Sequence, residues 1–150
     1  MANPTGGEYI SYLDEVRVTI KDATEEVLQA VAFQIEAYAK VNIQANGQID
    51  TGFMLNSVYV VHRQSSGFGA AKSVAQSKTI SRKTGETVDK SKAMSPEYQL
   101  EPKFAAAVIV GANYAIYQEL GQPFLFPAGE QAARDAGGVA EQIYRERVND

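Results

Sequence analysis

Residues 22–47 read DATEEVLQAVAFQIEAYAKVNIQANG, and the fold is decided there. Val27, Leu28, Val31, Ile35, Tyr38, Ala39 and Asn42 recur at three- and four-residue steps, the period of one face of an α-helix. Asp22-Ala23-Thr24-Glu25 has the composition of a helix start, resembling a capping box with Asp22 or Thr24 as the N-cap. Asn46-Gly47 supplies a left-handed stop. The spacing predicts one amphipathic helix over about 23–45, roughly 34 Å long at 1.5 Å per residue.

Outward from this helix the patterns are shorter. On its N-terminal side, Val16, Val18 and Ile20 alternate with Arg17 and Thr19, which predicts a strand over about 15–20. On its C-terminal side, Asp50-Thr51-Gly52 is a turn, and Asp50 or Thr51 can cap a short helix from Phe53 to Asn56. Ser57-Val58-Tyr59-Val60-Val61-His62 is rich in β-branched residues and predicts a strand. A second strand, Phe104 to Gly111, is expected to pair with it, joined through residues 63–103. Asn113 to Leu120 reads as a short helix closed by Gly121, with Tyr114, Tyr117 and Leu120 in step. Pro123-Phe124-Leu125-Phe126-Pro127 is expected to be extended, because each proline biases its predecessor away from the α region. Pro127 then opens a C-terminal helix over about 128–148, striped by Ala132, Ala136, Val139, Ala140, Ile143 and Tyr144 and bent or split at Gly137-Gly138.

The fold class is therefore α+β: a small, mostly antiparallel sheet packed by one long helix and a C-terminal helix. With 150 residues, the whole chain, 1–150, reads as a single domain. It has no cysteine and one histidine, so disulfides, thiolate metal sites, cysteine nucleophiles and paired-imidazole centres are excluded. No apolar run approaches the about 20 residues of a membrane span. Residues 1–7 lack the basic and apolar regions of a signal peptide, so no membrane partner is expected.

The motifs of catalysis and cofactor binding are matched only in fragments. Ser66 to Ser73 echoes a phosphate-binding loop, but Ser66 and Ala71 stand where its backbone needs glycine. His62 at a strand end reads as a solvated side chain rather than a metal ligand. Asp50 and Glu119 could form an acid–base pair, yet each has a simpler place, in a turn and at a helix end. No nucleophile elbow, zincin helix or cofactor fingerprint occurs. The expectation is no enzyme, with no catalytic, metal-binding or cofactor-binding residue and no cofactor.

Charge is unevenly placed. Residues 63–103 carry eight basic side chains against four acids, a surplus of +4 that leaves −8 for the rest of a chain of total charge −4. This predicts a long loop or hairpin arm over 63–103, folded through Lys83-Thr84-Gly85-Glu86, with Lys72, Lys78, Arg82, Lys83, Lys90 and Lys92 as its basic side chains. It is either a solvated loop or an arm that docks on an acidic surface or on nucleic acid. Only Phe68 and Tyr98 offer stacking faces, too few for a single-strand binder, so any DNA contact would be non-specific. Tyr114, Tyr117, Leu120, Phe124, Leu125 and Phe126 crowd around one glycine and two prolines; they are either core or anchors for a partner subunit.

Two blocks together resemble a known family. The first is Ala39-Lys40-Val41-Asn42, followed by Asp50-Thr51-Gly52-Phe53-Met54-Leu55-Asn56-Ser57-Val58. The second is Val110-Gly111-Ala112-Asn113-Tyr114-Ala115-Ile116-Tyr117-Gln118-Glu119-Leu120-Gly121, then Pro123-Phe124-Leu125-Phe126-Pro127-Ala128. In this order they are similar to the head–tail joining, or tail-completion, proteins of long-tailed phages, the family named after a lambdoid phage's gene-product ten. There are departures. Gln48-Ile49 and Phe53-Met54-Leu55 stand where the family has a proline before Asp-Thr-Gly and a basic residue just after it, and Gly121-Gln122 leads straight into Pro123.

The resemblance implies a structural virion protein of the phage neck, assembled in the host cytoplasm. It would form a ring, commonly a hexamer, that completes the tail tube and joins it to the head connector, with DNA passing through the lumen. Its partners would be further copies of itself, the head connector or stopper, and the tail tube or terminator. A tail terminator or head-closure stopper is the neighbouring alternative. A non-specific DNA-binding accessory protein using the basic arm is the alternative of another class. The interface residues expected are Asp50, Thr51, Phe53, Asn56, Tyr114, Tyr117, Glu119, Phe124 and Phe126. The arm is expected to order on assembly, so that deleting residues 66–100 leaves a folded monomer that cannot join heads to tails.

Overall fold

The computed structural model describes residues 6–49, 52–77, 79–81, 83–88 and 94–149. Asp50, Thr51, Lys78, Arg82, Lys90 and Lys92 lie outside them. The chain is α+β, in the order α1 (Gly6–Ala45), α2 (Phe53–Asn56), β1 (Val58–His62), β2 (Ser65–Ser66), α3 (Phe68–Ala75), β3 (Thr79–Ile80), β4 (Thr87–Val88), β5 (Ala106–Val110), α4 (Ala115–Gly121) and α5 (Leu125–Asn149).

The long helix is longer than its clearest pattern. α1 runs for 40 residues, about 60 Å at 1.5 Å per residue, and takes in the segment 15–20 expected to be a strand. The alternation there is only three apolar residues long. In the sequence Leu13, Val16 and Ile20 also fit a three–four spacing that runs on into Ala23 and Val27, and the helical period wins. Asp22 and Thr24 consequently start nothing. Thr24 instead shares a 2.9 Å hydrogen bond with the Tyr144 hydroxyl of α5.

α5 packs antiparallel on α1. Tyr38 Oη donates to Asp135 at 2.6 Å, and Arg147 reaches Glu26 at 2.7 Å near the other end of the seam. Buried Ala32 and Ala39 on α1 and Ala128 and Ala132 on α5 keep the helices close, since small side chains at a crossing shorten the interaxial distance. α5 continues without interruption through Gly137-Gly138. It also starts at Leu125 rather than 128, so residues 125–127 are helical and not extended, and Pro127 stands in the first turn, where a missing N–H costs nothing.

The sheet has the order β2-β1-β5, all antiparallel, with β1 central. Val58 pairs with Val110 and His62 with Ala106, as the two strand patterns anticipated. Both faces of β1 are covered. Val58 joins the main core with Ala39, Ile43, Phe53, Met54, Phe124 and Ala128, whereas Tyr59 and Val61 pack against Phe68, Ala71 and Leu100.

Residues 63–103 are more folded than their composition suggests. The hairpin is present, with Thr79 opposite Val88 and Ile80 opposite Thr87. It forms a sheet of its own. Before it, β2 returns along β1 and α3 buries Ala71 and Ala75. After it, Met94 bridges to Ala112 and the Tyr98 N–H donates to the Tyr59 hydroxyl at 3.2 Å. α3 was missed because Gly, Ser, Ala and Lys dominate it; two alanines against the core are enough to hold it. Ala75 is fully buried in the main core, so residues 66–100 are part of the folded body rather than an appendage to it.

Candidate interface at the junction of α2, α4 and α5

The two sequence blocks, about 50 residues apart, meet at one junction. Gly52 takes φ +76° at the start of α2, a conformation that costs an L-residue with a side chain strain, and its carbonyl accepts the Asn56 N–H at 2.9 Å. α2 ends at Ser57, which is fully buried. Its hydroxyl donates to the Met54 carbonyl at 2.8 Å and accepts the Ala112 N–H at 3.0 Å. The Ser57 carbonyl accepts the Gly111 N–H at 2.9 Å, so one residue locks the helix end to the exit of β5. Gly111 makes this contact close: a Cβ there would lie 2.7 Å from Met94 Cε, 3.1 Å from its Cγ and 3.3 Å from the Ser57 carbonyl oxygen, so the Met94 side chain would have to move. The rings of Phe53 and Tyr114 stand 6.1 Å apart across the same joint.

Glu119 organises the next turn. Its Oε2 accepts the N–H groups of Phe124 and Leu125 at 2.9 Å, and Oε1 accepts that of Phe126 at 2.8 Å. These are donors that a helix N-terminus leaves without partners, so a carboxylate from α4 caps α5 and meets its positive dipole end. Burial pushes the Glu119 pKa up, but the three N–H donors outweigh it and hold the carboxyl below its ordinary value. The C-terminal end of α1 fixes the same turn from below. Asn42 donates to the Phe124 carbonyl at 3.0 Å, Asn46 to that of Pro123 at 3.1 Å, and Gln48 to that of Gln122 at 3.0 Å.

The aromatic residues divide into two groups. Phe53 and Phe124, expected at an interface, are core residues with 3% and 1% exposure and have no face to offer a partner. Asn56 is half-buried and lines a cleft described below. Glu119 is held by the cap. Tyr114 is partly exposed beside Phe53, and Tyr117 and Phe126 stand in solvent at 74% and 69%. Ile116 and Leu120, at 58% and 76%, join them on the outer side of α4. Positions 116, 117 and 120 share one helix face, and Phe126 stands exposed in the turn that Glu119 holds, so four apolar side chains near this junction are open to solvent. Leu120 belongs to the aromatic and apolar cluster read from the sequence; Ile116 does not, although its four-residue spacing from Leu120 was there to read.

No protein-family model, curated protein or solved structure matches this chain.

A second surface lies across α1, β1 and α3. An open cleft of about 380 Å³ has Phe33 and Val74 on its walls, both half exposed, and Tyr59 and Val60 at its floor. Glu36 and Lys40 on its rim pair with each other at 2.6 Å. His62 at its end sits 3.0 Å from Gln64 Oε1 and edge-on to Phe33. Among the described residues no group of three or more His, Asp or Glu is placed to hold a metal ion, and no helix is long and apolar enough to cross a membrane.

The described cations of residues 63–103 are engaged locally. Lys72 lies 5.7 Å from the centre of the Phe68 ring, Lys103 pairs with Glu101 at 3.0 Å, and Arg63 pairs with Glu25 of α1. Lys83 is exposed in the hairpin turn.

Proposed function

We propose that this chain is a structural subunit of a long-tailed phage neck, which assembles with its own copies into a ring that completes the tail and joins it to the head connector. The proposal starts from the likeness of the two sequence blocks to tail-completion proteins. The single observation that supports it is the set of apolar side chains Ile116, Tyr117, Leu120 and Phe126, left open to solvent by a junction that otherwise satisfies its buried polar groups. A large apolar patch with a polar rim is a mark of a protein–protein contact. Around it, the residues that could have suggested chemistry have fold-building roles: Glu119 caps α5 and Ser57 ties α2 to β5. The chain would then act by being held between neighbours, without turnover, metal or cofactor.

The rival in which the basic arm binds DNA rests on the charge surplus of residues 63–103; among the described cations there, Arg63 and Lys103 pair with Glu25 and Glu101, and Lys72 lies beside the Phe68 ring. Mass photometry and negative-stain imaging of the purified chain test the proposal. A discrete ring with an axial opening, and no retardation of duplex DNA at physiological salt, is the expected result. A monomer that retards DNA would overturn it in favour of the rival.

A further inference from the structure

We propose that Asn46 is a self-modifying site, whose side-chain amide is converted to a carboxylate by attack of the Gly47 nitrogen and is guarded by the turn between α4 and α5. The chemistry uses only this chain and water, and does not depend on what the chain assembles with. Asn46-Gly47 is the one Asn-Gly step in the sequence. Glycine after asparagine favours ring closure, because no Cβ obstructs the approach of its nitrogen to the asparagine Cγ. The bond from the Gly47 nitrogen to Asn46 Cγ forms, the Cγ–Nδ2 bond breaks, and the Gly47 amide proton leaves with Nδ2 as ammonia. Water then adds across either C–N bond of the five-membered succinimide, giving aspartate or, with the backbone routed through the side chain, isoaspartate.

Space and solvent are available. Gly47 is exposed just past the end of α1, at φ +68°, and a Cβ there would meet nothing within 4 Å. Hydrogen bonds nevertheless hold the reacting groups in place. Asn46 is half-buried, and its Nδ2 donates to the Pro123 carbonyl at 3.1 Å and to Gln48 Oε1 at 3.0 Å. A peptide carbonyl only accepts, so Pro123 decides which end of the Asn46 amide faces the turn. The Gly47 N–H donates to the Gln44 carbonyl at 3.0 Å. Leaving group and nucleophile are both engaged, and ring closure requires the end of α1 to part from residues 122–124. Local opening of this kind is cheapest where the hydrogen bonds are exposed to solvent, as the Asn46–Pro123 bond is.

The product does not fit the closed turn. A carboxylate at position 46 would set an acceptor against two acceptors. Gln48 can turn its amide round, but the Pro123 carbonyl has no donor to offer. Asn46 is one of three side chains, with Asn42 and Gln48, that hold residues 122–124 beside α1. Conversion unties one of the three and leaves a negative charge in its place, so each event loosens the turn that guards the site.

Peptide mapping by mass spectrometry follows the amide-to-acid mass gain at Asn46 in mildly alkaline buffer, for the folded chain and for the chain in guanidinium chloride. In the denatured chain, conversion is expected to be faster at Asn46 than at any other asparagine. In the folded chain it should be slower by about tenfold or more, because modification tracks the population of the open form. Gln48→Ala removes one acceptor of the Asn46 amide and one tie to the turn. It should speed conversion several-fold in the folded chain and leave the denatured rate unchanged. Asn46→Asp supplies the product directly and should lower the thermal midpoint by several degrees. Equal rates in the folded and denatured chain, or a folded rate indifferent to Gln48→Ala, would overturn the guard. Absence of conversion in guanidinium chloride would remove the site, and an unchanged midpoint for Asn46→Asp would refute the misfit of the product.

Discussion

Ser57 and Ala112, 55 residues apart, are joined by a 3.0 Å hydrogen bond from the Ala112 N–H to the buried Ser57 hydroxyl, which in turn donates to the Met54 carbonyl. The bond connects the two sequence blocks from which the proposed function starts, and much of what those blocks contain is accounted for by architecture. Ser57, Gly111, Ala112, Glu119, Asn42 and Phe124 build the junction. Tyr117 and Phe126 do not, since their side chains face solvent.

Replacing Ser57 by alanine takes the hydroxyl acceptor from the buried Ala112 N–H, whereas the Met54 carbonyl keeps the Ser57 backbone N–H at 3.2 Å. A buried polar group stranded in this way costs about 1–3 kcal/mol. For a chain of this length each kcal/mol lowers Tm by about 2–4 °C, so thermal unfolding followed by circular dichroism is expected to shift down by several degrees. An unchanged Tm would mean that the hydroxyl carries none of the junction.

Glu119→Gln is expected to cost about 1 kcal/mol near neutral pH, the worth of a charged cap at a helix N-terminus. The sign of its pH dependence follows from the lowered pKa. The carboxylate's contribution is complete above its ordinary value of 4.5 and is lost as pH falls through the lower folded-state value. Denaturation midpoints of wild type and Glu119→Gln should therefore differ at neutral pH and converge in acid. The Asp135 carboxyl, also held low by its hydrogen bond from Tyr38, titrates in both proteins and cancels in the comparison. A gap that widens as pH falls would contradict the cap.

Tyr117→Asp and Leu120→Glu should change unfolding free energy by no more than about 0.5 kcal/mol, as exposed substitutions generally do. Both should abolish self-association measured by mass photometry. Phe124→Ala, two residues from the exposed Phe126, should instead cost about 3–5 kcal/mol because it empties a buried aromatic site. Strong destabilisation by Tyr117→Asp would show that these side chains belong to the core.

Excision of residues 79–93 with a short Gly-Ser bridge is expected to leave a cooperatively folding chain, since among the described residues β3 and β4 form a two-stranded sheet of their own and loop-closure entropy changes slowly with length. Excision of 66–100 removes Ala71 and Ala75 from two core clusters and should abolish the cooperative transition. Equal stability of the two deletions, by urea titration, would overturn this division of the segment.

Local pattern was sufficient for several elements because their physics is local. The three–four spacing between Val27 and Asn42 dictates a helix, the β-branched runs at 58–62 and 106–110 dictate two strands, and Lys83-Thr84-Gly85-Glu86 dictates a turn. Where two periods were compatible with the same letters, as at residues 15–20, helical propagation from an established neighbour prevailed over a three-residue alternation. Long-range contact alone decided the rest. Whether an aromatic near residue 120 is core or surface depends on which side of the Glu119 turn faces α1, so Phe124 is hidden and Phe126 is not. α3 is helical because Ala71 and Ala75 have a core to enter. The cleft exists only because α1 and α3, with no pattern in common, are held apart across β1.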